Sequence, residues 1–231
     1  MSSLGLFCCY SVPMSVQSAK IKAIILDVDG TLCPEVSWTA LTRGLGASVD
    51  EHMTLFENFK NGLVDYPTAK KQLIQLWRAT GKANKHSMKH IFSKWELHPG
   101  AQEMVESLSA RYVTCIITGS FDIWAQTLAD RLGVDHWYAN TKFIWDDNCE
   151  LVDMDYTLDQ AERKLEHLRL FCQKQKVTPE RCLAVGDSGN DVEIFKATGN
   201  GVAVGEAPAE LAEVAAHRVS AVTDLLSILA A

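Results

Sequence analysis

Three short runs of the chain are apolar at almost every position: IKAIILD (21–27), RYVTCIIT (111–118) and RCLAVGD (181–187). A strand with one wet face alternates apolar and polar residues. A continuous run rich in β-branched residues instead predicts a central parallel strand covered on both faces. Each run ends on a polar residue: Asp27, Thr118 and Asp187. Shorter strands are predicted at GVAVG (201–205) and HRVS (217–220). Between the runs the apolar spacing becomes helical, over 100–110, 121–132, 157–176, 190–197, 208–215 and 221–230. KFIWDDNCELV (142–152) predicts a hairpin turning at Asp146–Asn148. The alternation predicts an α/β fold, a doubly wound, Rossmann-like parallel sheet with right-handed crossovers. Such sheets bind ligands beyond the carboxyl ends of their strands, where the three polar run-ends would converge.

One region breaks the alternation. From Cys33 to His98 no strand is predicted, and helices are expected over 36–45, 50–60, 67–79 and 84–96. Pro67 suits a first helical turn. Leu73, Leu76 and Trp77, and then Met88, Ile91, Phe92 and Trp95, fall at amphipathic spacing. LHPG (97–100) returns the chain to the sheet. The expected organisation is a disordered tail over 1–20, a small helical cap over 33–97 inserted after the first strand, and an α/β core from 21–32 and 98–231.

Composition removes several function classes. A net charge of -7 over 231 residues offers no basic footprint for nucleic acid. No apolar run approaches the ~20 residues of a membrane span. The seven cysteines are scattered without CxxC spacing, which reads as reduced thiols in a cytoplasmic setting rather than a zinc site. The tail stretch LGLFCCYSVP has no basic region before it and reads as frayed chain. Organellar targeting by that tail, lipidation at Cys8–Cys9 and an alternative start at Met14 stay open. His86 and His90 sit four apart on a predicted helix without a supporting Glu or His, so they read as a solvated face. The six Trp read as core and cap packing rather than a stacking platform. Oligomeric state is not legible.

The chemistry gathers at the run ends. AIILDVDGTL (23–32) carries Asp27 and Asp29, which strand alternation would point to one side. GDSGND (186–191) adds Asp187 and Asp191. Each Asp alone reads equally as a turn or helix cap. Four carboxylates in one crevice repel one another unless a cation lies among them, and a hard oxygen donor set with a substrate phosphate describes Mg²⁺.

DVDGT, ITGS, a helical Lys and GDSGND, in this order, resemble the haloacid dehalogenase superfamily of phosphohydrolases. The position and helical character of the insert, with LHPG and GVAVG, resemble its phosphoserine-phosphatase branch. The resemblance implies a Mg²⁺-dependent phosphatase that hydrolyses a small-molecule phosphate monoester through an aspartyl phosphate. It implies Asp27 as nucleophile and metal ligand, and Asp29 as general acid and base with its backbone carbonyl on the metal. It implies Asp187 and Asp191 as further metal ligands. Thr118 and Gly119 would meet the phosphoryl group, although TGS alone also reads as a strand-to-helix turn. Lys164, flanking a stripe of Leu158, Ala161, Leu165, Leu168 and Cys172, is favoured over Lys142 as the family's phosphate-neutralising Lys. Asn190 reads either as a donor to phosphate or as a helix cap. Two alternatives remain on the same scaffold: a phosphate-metabolite binding or regulatory protein, and a phosphotransferase.

The substrate is less legible than the reaction. Phosphoserine-specific members use a cap acid for the amine and an Arg for the carboxylate. Glu35 lies near the first position, but Lys70, Lys71 and Arg78 in TAKKQLIQLWR (68–78) do not match the second. ITGS also departs from the Ser-Gly-Gly favoured by those enzymes. Strong phosphoserine selectivity is therefore not expected.

Overall fold

The computed structural model describes residues 20–230. The expectations for residues 1–19, including Cys8, Cys9 and Met14, lie outside them. Seven strands form one sheet: β1 (Ala23–Leu26), β2 (Val113–Phe121), β3 (His136–Trp145), β4 (Leu151–Tyr156), β5 (Cys182–Gly186), β6 (Gly201–Val204) and β7 (His217–Val219). Their order is β4-β3-β2-β1-β5-β6-β7. All pairs are parallel except β3–β4. The chain leaves β1 for β2 on one side and later places β5 on the other. The topological switch point therefore lies at the carboxyl end of β1, where open α/β sheets bind ligands.

The helices are α1 (Ser37–Leu45), α2 (Val49–Lys60), α3 (Tyr66–Arg78), α4 (Lys85–Ser93), α5 (Ala101–Ser109), α6 (Asp122–Leu132), α7 (Gln160–Gln175), α8 (Val192–Thr198), α9 (Ala209–Val214) and α10 (Leu225–Ala230). The central strands are buried on both faces, as their continuous apolar runs require. Ile24, Leu26, Ile116, Leu183, Val185 and Val202 belong to one core, with α5, α6 and the helices of the insert. Ala23, Ile25, Cys115, Cys182, Ala184 and Ala203 belong to the other, with α7, α8 and α9. The smaller residues predominate on the α7 side.

The insert forms α1 to α4 as expected. Asp65 accepts a hydrogen bond from the Thr68 amide, and Pro67 sits in the first turn of α3. Asn84 caps α4 in the same way through the Ser87 amide. Trp77 is fully buried, and its Nε1 donates to the Thr42 hydroxyl at 2.8 Å.

Three expectations need correction. Residues 136–141 are strand, not only the hairpin arm from 142, so β3 is a long strand parallel to β2. Its mixed sequence HWYANTK hid it because most of these residues are half-buried. Second, β2 does not end at Thr118; it continues to Phe121 after a register shift against β3. Third, α4 stops at Ser93, and Trp95 packs from the loop beyond it. The helices of the insert also contact the hairpin of the sheet. The Leu151 amide donates to Ala83 O and the Lys85 amide to Cys149 O, tying the β3–β4 hairpin to α3 and α4. Lys70 reaches Asp153 at 2.8 Å across the same contact.

Candidate active site

β1 ends at Leu26, and the Asp27 amide still bonds Val185 O at 3.0 Å, extending the ladder to β5. The chain then turns. The Val28 carbonyl accepts from the Thr31, Leu32 and Cys33 amides. Gly30 adopts φ +79°, and a Cβ there would meet Asp187 Oδ2 at 2.1 Å. The turn is thus closed tightly enough for Thr31 Oγ1 to donate to Asp187 Oδ1 at 3.1 Å. On the other side, β5 delivers Asp187 and a short turn delivers Asp191. Gly186 permits the close approach, since a Cβ there would lie 2.4 Å from Asp191 Cγ.

Carboxylate oxygens of Asp27, Asp187 and Asp191 all lie within 4.8 Å of one another. Lys164 Nζ stands 2.8 Å from Asp27 Oδ1 and 2.7 Å from Asp191 Oδ1. It is only 1% exposed. Burial pushes the Asp27 carboxyl well above its ordinary range, Lys164 opposes this, and repulsion from Asp191 and Asp187 adds to it. Burial and then the Asp191 charge raise Asp187 to about 6. Burial also works against the Lys164 charge, but Asp191 and Asp27 outweigh it and hold Lys164 above its usual value. Three carboxylates share one ammonium, so the cluster keeps an anionic excess. An all-oxygen anionic donor set of this kind fits a hard divalent cation such as Mg²⁺.

The Asp29 side chain is not one of these three, although its charge still acts on Asp187. The strand stops at Leu26, so strand alternation does not reach Asp29. Its Oδ2 accepts from the Ser37 amide at 2.9 Å and the Ser37 hydroxyl at 2.5 Å, and Trp124 Nε1 lies 3.4 Å from Oδ1. Burial raises its carboxyl, and the Ser37 and Trp124 hydrogen bonds only partly offset this. Asp29 is thereby tied to the first turn of α1.

The remaining predicted residues fall as follows. Thr118 is buried, and its Oγ1 accepts from the Ser120 amide at 3.1 Å. Gly119 follows at the register shift, with Asn190 Nδ2 3.8 Å from where its Cβ would be. Asn190 is exposed; the capping of the turn falls to Ser188 and Asp191 instead. Lys142 is exposed on β3 and outside the cluster. Lys164 does not flank the buried stripe of α7 but opens it, with Leu165, His167, Leu168, Phe171 and Cys172 behind. Leu158 precedes the helix and is 60% exposed. Glu35 pairs with Arg43 at 2.8 Å on the surface, and Lys71 and Arg78 are exposed.

The pattern of the haloacid dehalogenase-like hydrolases matches residues 21–199, well over half of the chain. The protein belongs to that family. This haloacid dehalogenase-like hydrolase is 27% identical to a phosphoserine phosphatase of Archaeoglobus fulgidus, over 83% of this chain and 54% of that one. The chain thus spans about half of that relative's length. It is also 27% identical to a phosphoserine phosphatase of Idiomarina loihiensis, over 89% of this chain and 91% of the relative. In fold it resembles a haloacid dehalogenase family hydrolase of Salmonella enterica, with TM-score 0.74 and 23% identity over 90% of this chain and 70% of that one. Among the described residues of this family member, no helix is long and apolar enough to cross a membrane.

Three site neighbours escaped sequence reasoning. Ser37 and Trp124 hold Asp29, and Ser120 bonds the Ser37 hydroxyl at 2.5 Å. Ser120 stands in ITGS itself. Ser37 and Trp124 carry no local signal, because their partner lies 8 and 95 positions away.

Proposed function

We propose that this hydrolase is a Mg²⁺-dependent phosphomonoesterase acting on a small soluble phosphate ester in a reducing, cytoplasmic compartment. The observation that carries the reading is Lys164 set between Asp27 and Asp191, with the Asp187 carboxylate alongside. Relatives named phosphoserine phosphatase at 27% identity support the reaction class.

An Asp27 oxygen attacks phosphorus as the ester P–O bond breaks, and the leaving alcohol oxygen takes a proton from Asp29. Asp29 suits this because burial raises its carboxyl. A water then attacks the aspartyl phosphate, gives a proton to Asp29, and releases phosphate and the Asp27 carboxylate. Lys164 orients Asp27 and offsets phosphoryl charge. The Thr118 hydroxyl and the Gly119 backbone receive the phosphoryl oxygens, and Asn190 donates to them from the facing turn. Asp27, Asp187, Asp191 and the Asp29 carbonyl would hold Mg²⁺, which when bound neutralises charge on the transferring group.

Acid quench during turnover of a phosphate-ester panel tests this, with mass spectrometry of the peptide containing Asp27. A phosphoryl adduct on Asp27 with phosphate release is expected. Ester binding without adduct or release would instead mark a binding protein.

A further inference from the structure

α1, α2, α3 and β4 line a half-open cavity of about 220 Å³ that begins at Trp38, the residue after Ser37 of the site. Its walls are Trp38, Phe56, Phe59, Tyr66, Leu73 and Tyr156. Trp38 joins it to the carboxylates: the residue before it, Ser37, holds Asp29, and its ring packs on Phe121 of β2 with centroids 4.4 Å apart. Tyr156 meets Trp38 edge-on at 5.7 Å and stacks on Tyr66 at 5.5 Å.

The charge inventory of these walls is the informative part. Among the described residues Lys70 is the only Lys or Arg that lines the cavity, and no Asp or Glu lines it. Lys70 is already engaged by Asp153 at 2.8 Å and by Met154 O at 3.1 Å. His52, the only His among the described lining residues, is buried, which lowers its pKa and keeps it neutral; its Nδ1 lies 2.7 Å from the Thr42 hydroxyl. A zwitterionic substrate body would find no free cation for its carboxylate and no carboxylate for its amine. Neutral aromatic surface is what the walls offer, and offset or edge-on aromatic packing is favourable there. A quaternary ammonium is disfavoured, since the Lys70 ammonium already lies 5.9 Å over the Tyr66 ring. The volume exceeds the ~150 Å³ of an apolar cavity that admits benzene. A buried polar handle is present: the Tyr66 hydroxyl has no hydrogen-bond partner among the described residues, and burial keeps it protonated.

We infer that this cavity receives the leaving group, and that the substrate is a phosphate monoester of an uncharged aromatic or bulky apolar alcohol. The inference rests on the phosphomonoesterase reading. Phosphate sits at Asp27 while the organic body fills the aromatic walls, and a hydroxyl or carbonyl on that body pairs with Tyr66.

The test compares kcat/KM for 2-phenylethyl phosphate, ethyl phosphate and O-phosphoserine with Mg²⁺. The first two have similar leaving-group chemistry, so their ratio reports the cavity. Burial of the phenyl group should favour 2-phenylethyl phosphate about tenfold or more over both others. Ala69→Phe, which fills the cavity, should collapse that ratio. Phe56→Asp, at a half-exposed wall residue, should lower it as well. Preference for O-phosphoserine, or a ratio that Phe56→Asp leaves unmoved, overturns this inference and leaves the phosphomonoesterase reading standing. No turnover of any of the three esters overturns this inference, and no turnover across the wider phosphate-ester panel overturns the phosphomonoesterase reading as well.

Discussion

At the scale of single residues, Asp27 and Asp29 differ in company more than in chemistry. Asp27 lies among charges and Asp29 among neutral donors. Asp27→Asn should abolish turnover and leave the fold in place, because the amide keeps the size of the side chain and Lys164 keeps Asp191. More than a few per cent of wild-type kcat, with deamidation excluded, would contradict the nucleophilic role. Asp29→Asn should slow turnover by about 10²-fold or more, since proton transfer is lost while the amide oxygen still accepts from Ser37. The loss should be larger for alkyl phosphates than for nitrophenyl phosphate, whose leaving group needs no proton. Equal losses on both would argue against the acid role.

At the scale of elements, α7 matters most. It packs on β2 and β3, against Cys115, Ile117 and Tyr138 among others, and its buried stripe begins with Lys164. The same stripe buries His167, stacked on Tyr138 with centroids 5.2 Å apart. Burial, with the Arg163 charge second, lowers His167 to about 4. An unfolded His takes up its proton near pH ~6.5. The unfolded chain therefore binds more protons between these values, and this contribution to stability is complete above the unfolded pKa and is lost as pH falls toward about 4. Asp187, raised to about 6, works in the opposite direction over part of that window. Comparing urea midpoints of wild type and His167→Gln at pH values on either side of the window isolates the His. The variant should lose less stability on acidification; parallel pH profiles would refute the assignment.

For the molecule as a whole, the switch point of the sheet gathers groups from β1, β5, α7 and the turns that follow. Their anionic excess predicts metal dependence. Activity should vanish with EDTA and return with Mg²⁺, and Ca²⁺ should inhibit because it prefers longer bonds and more ligands. Full activity in chelator, with metal content measured as absent, would refute this. Chelation should not unfold the chain, since both hydrophobic cores are packed from the chain's own apolar side chains.

The sequence by itself determined the α/β architecture, the helical insert and the three polar strand ends, because these follow from local periodicity and turn chemistry. It also located Asp27, Asp187 and Asp191, since a strand end fixes where its next residues go. The partners of the Asp29 side chain were not legible, because β1 ends at Leu26 and alternation does not carry as far as Asp29. Lys164 was found by resemblance, and its burial was not legible: a helical Lys is indistinguishable from a solvated one until two carboxylates face it. The first half of β3 was missed because its half-buried residues lack a clean period. The aromatic cavity was out of reach for a stronger reason. Trp38, Phe59, Tyr66 and Tyr156 come from four elements, and only their tertiary packing brings the rings together and pairs Lys70 with Asp153.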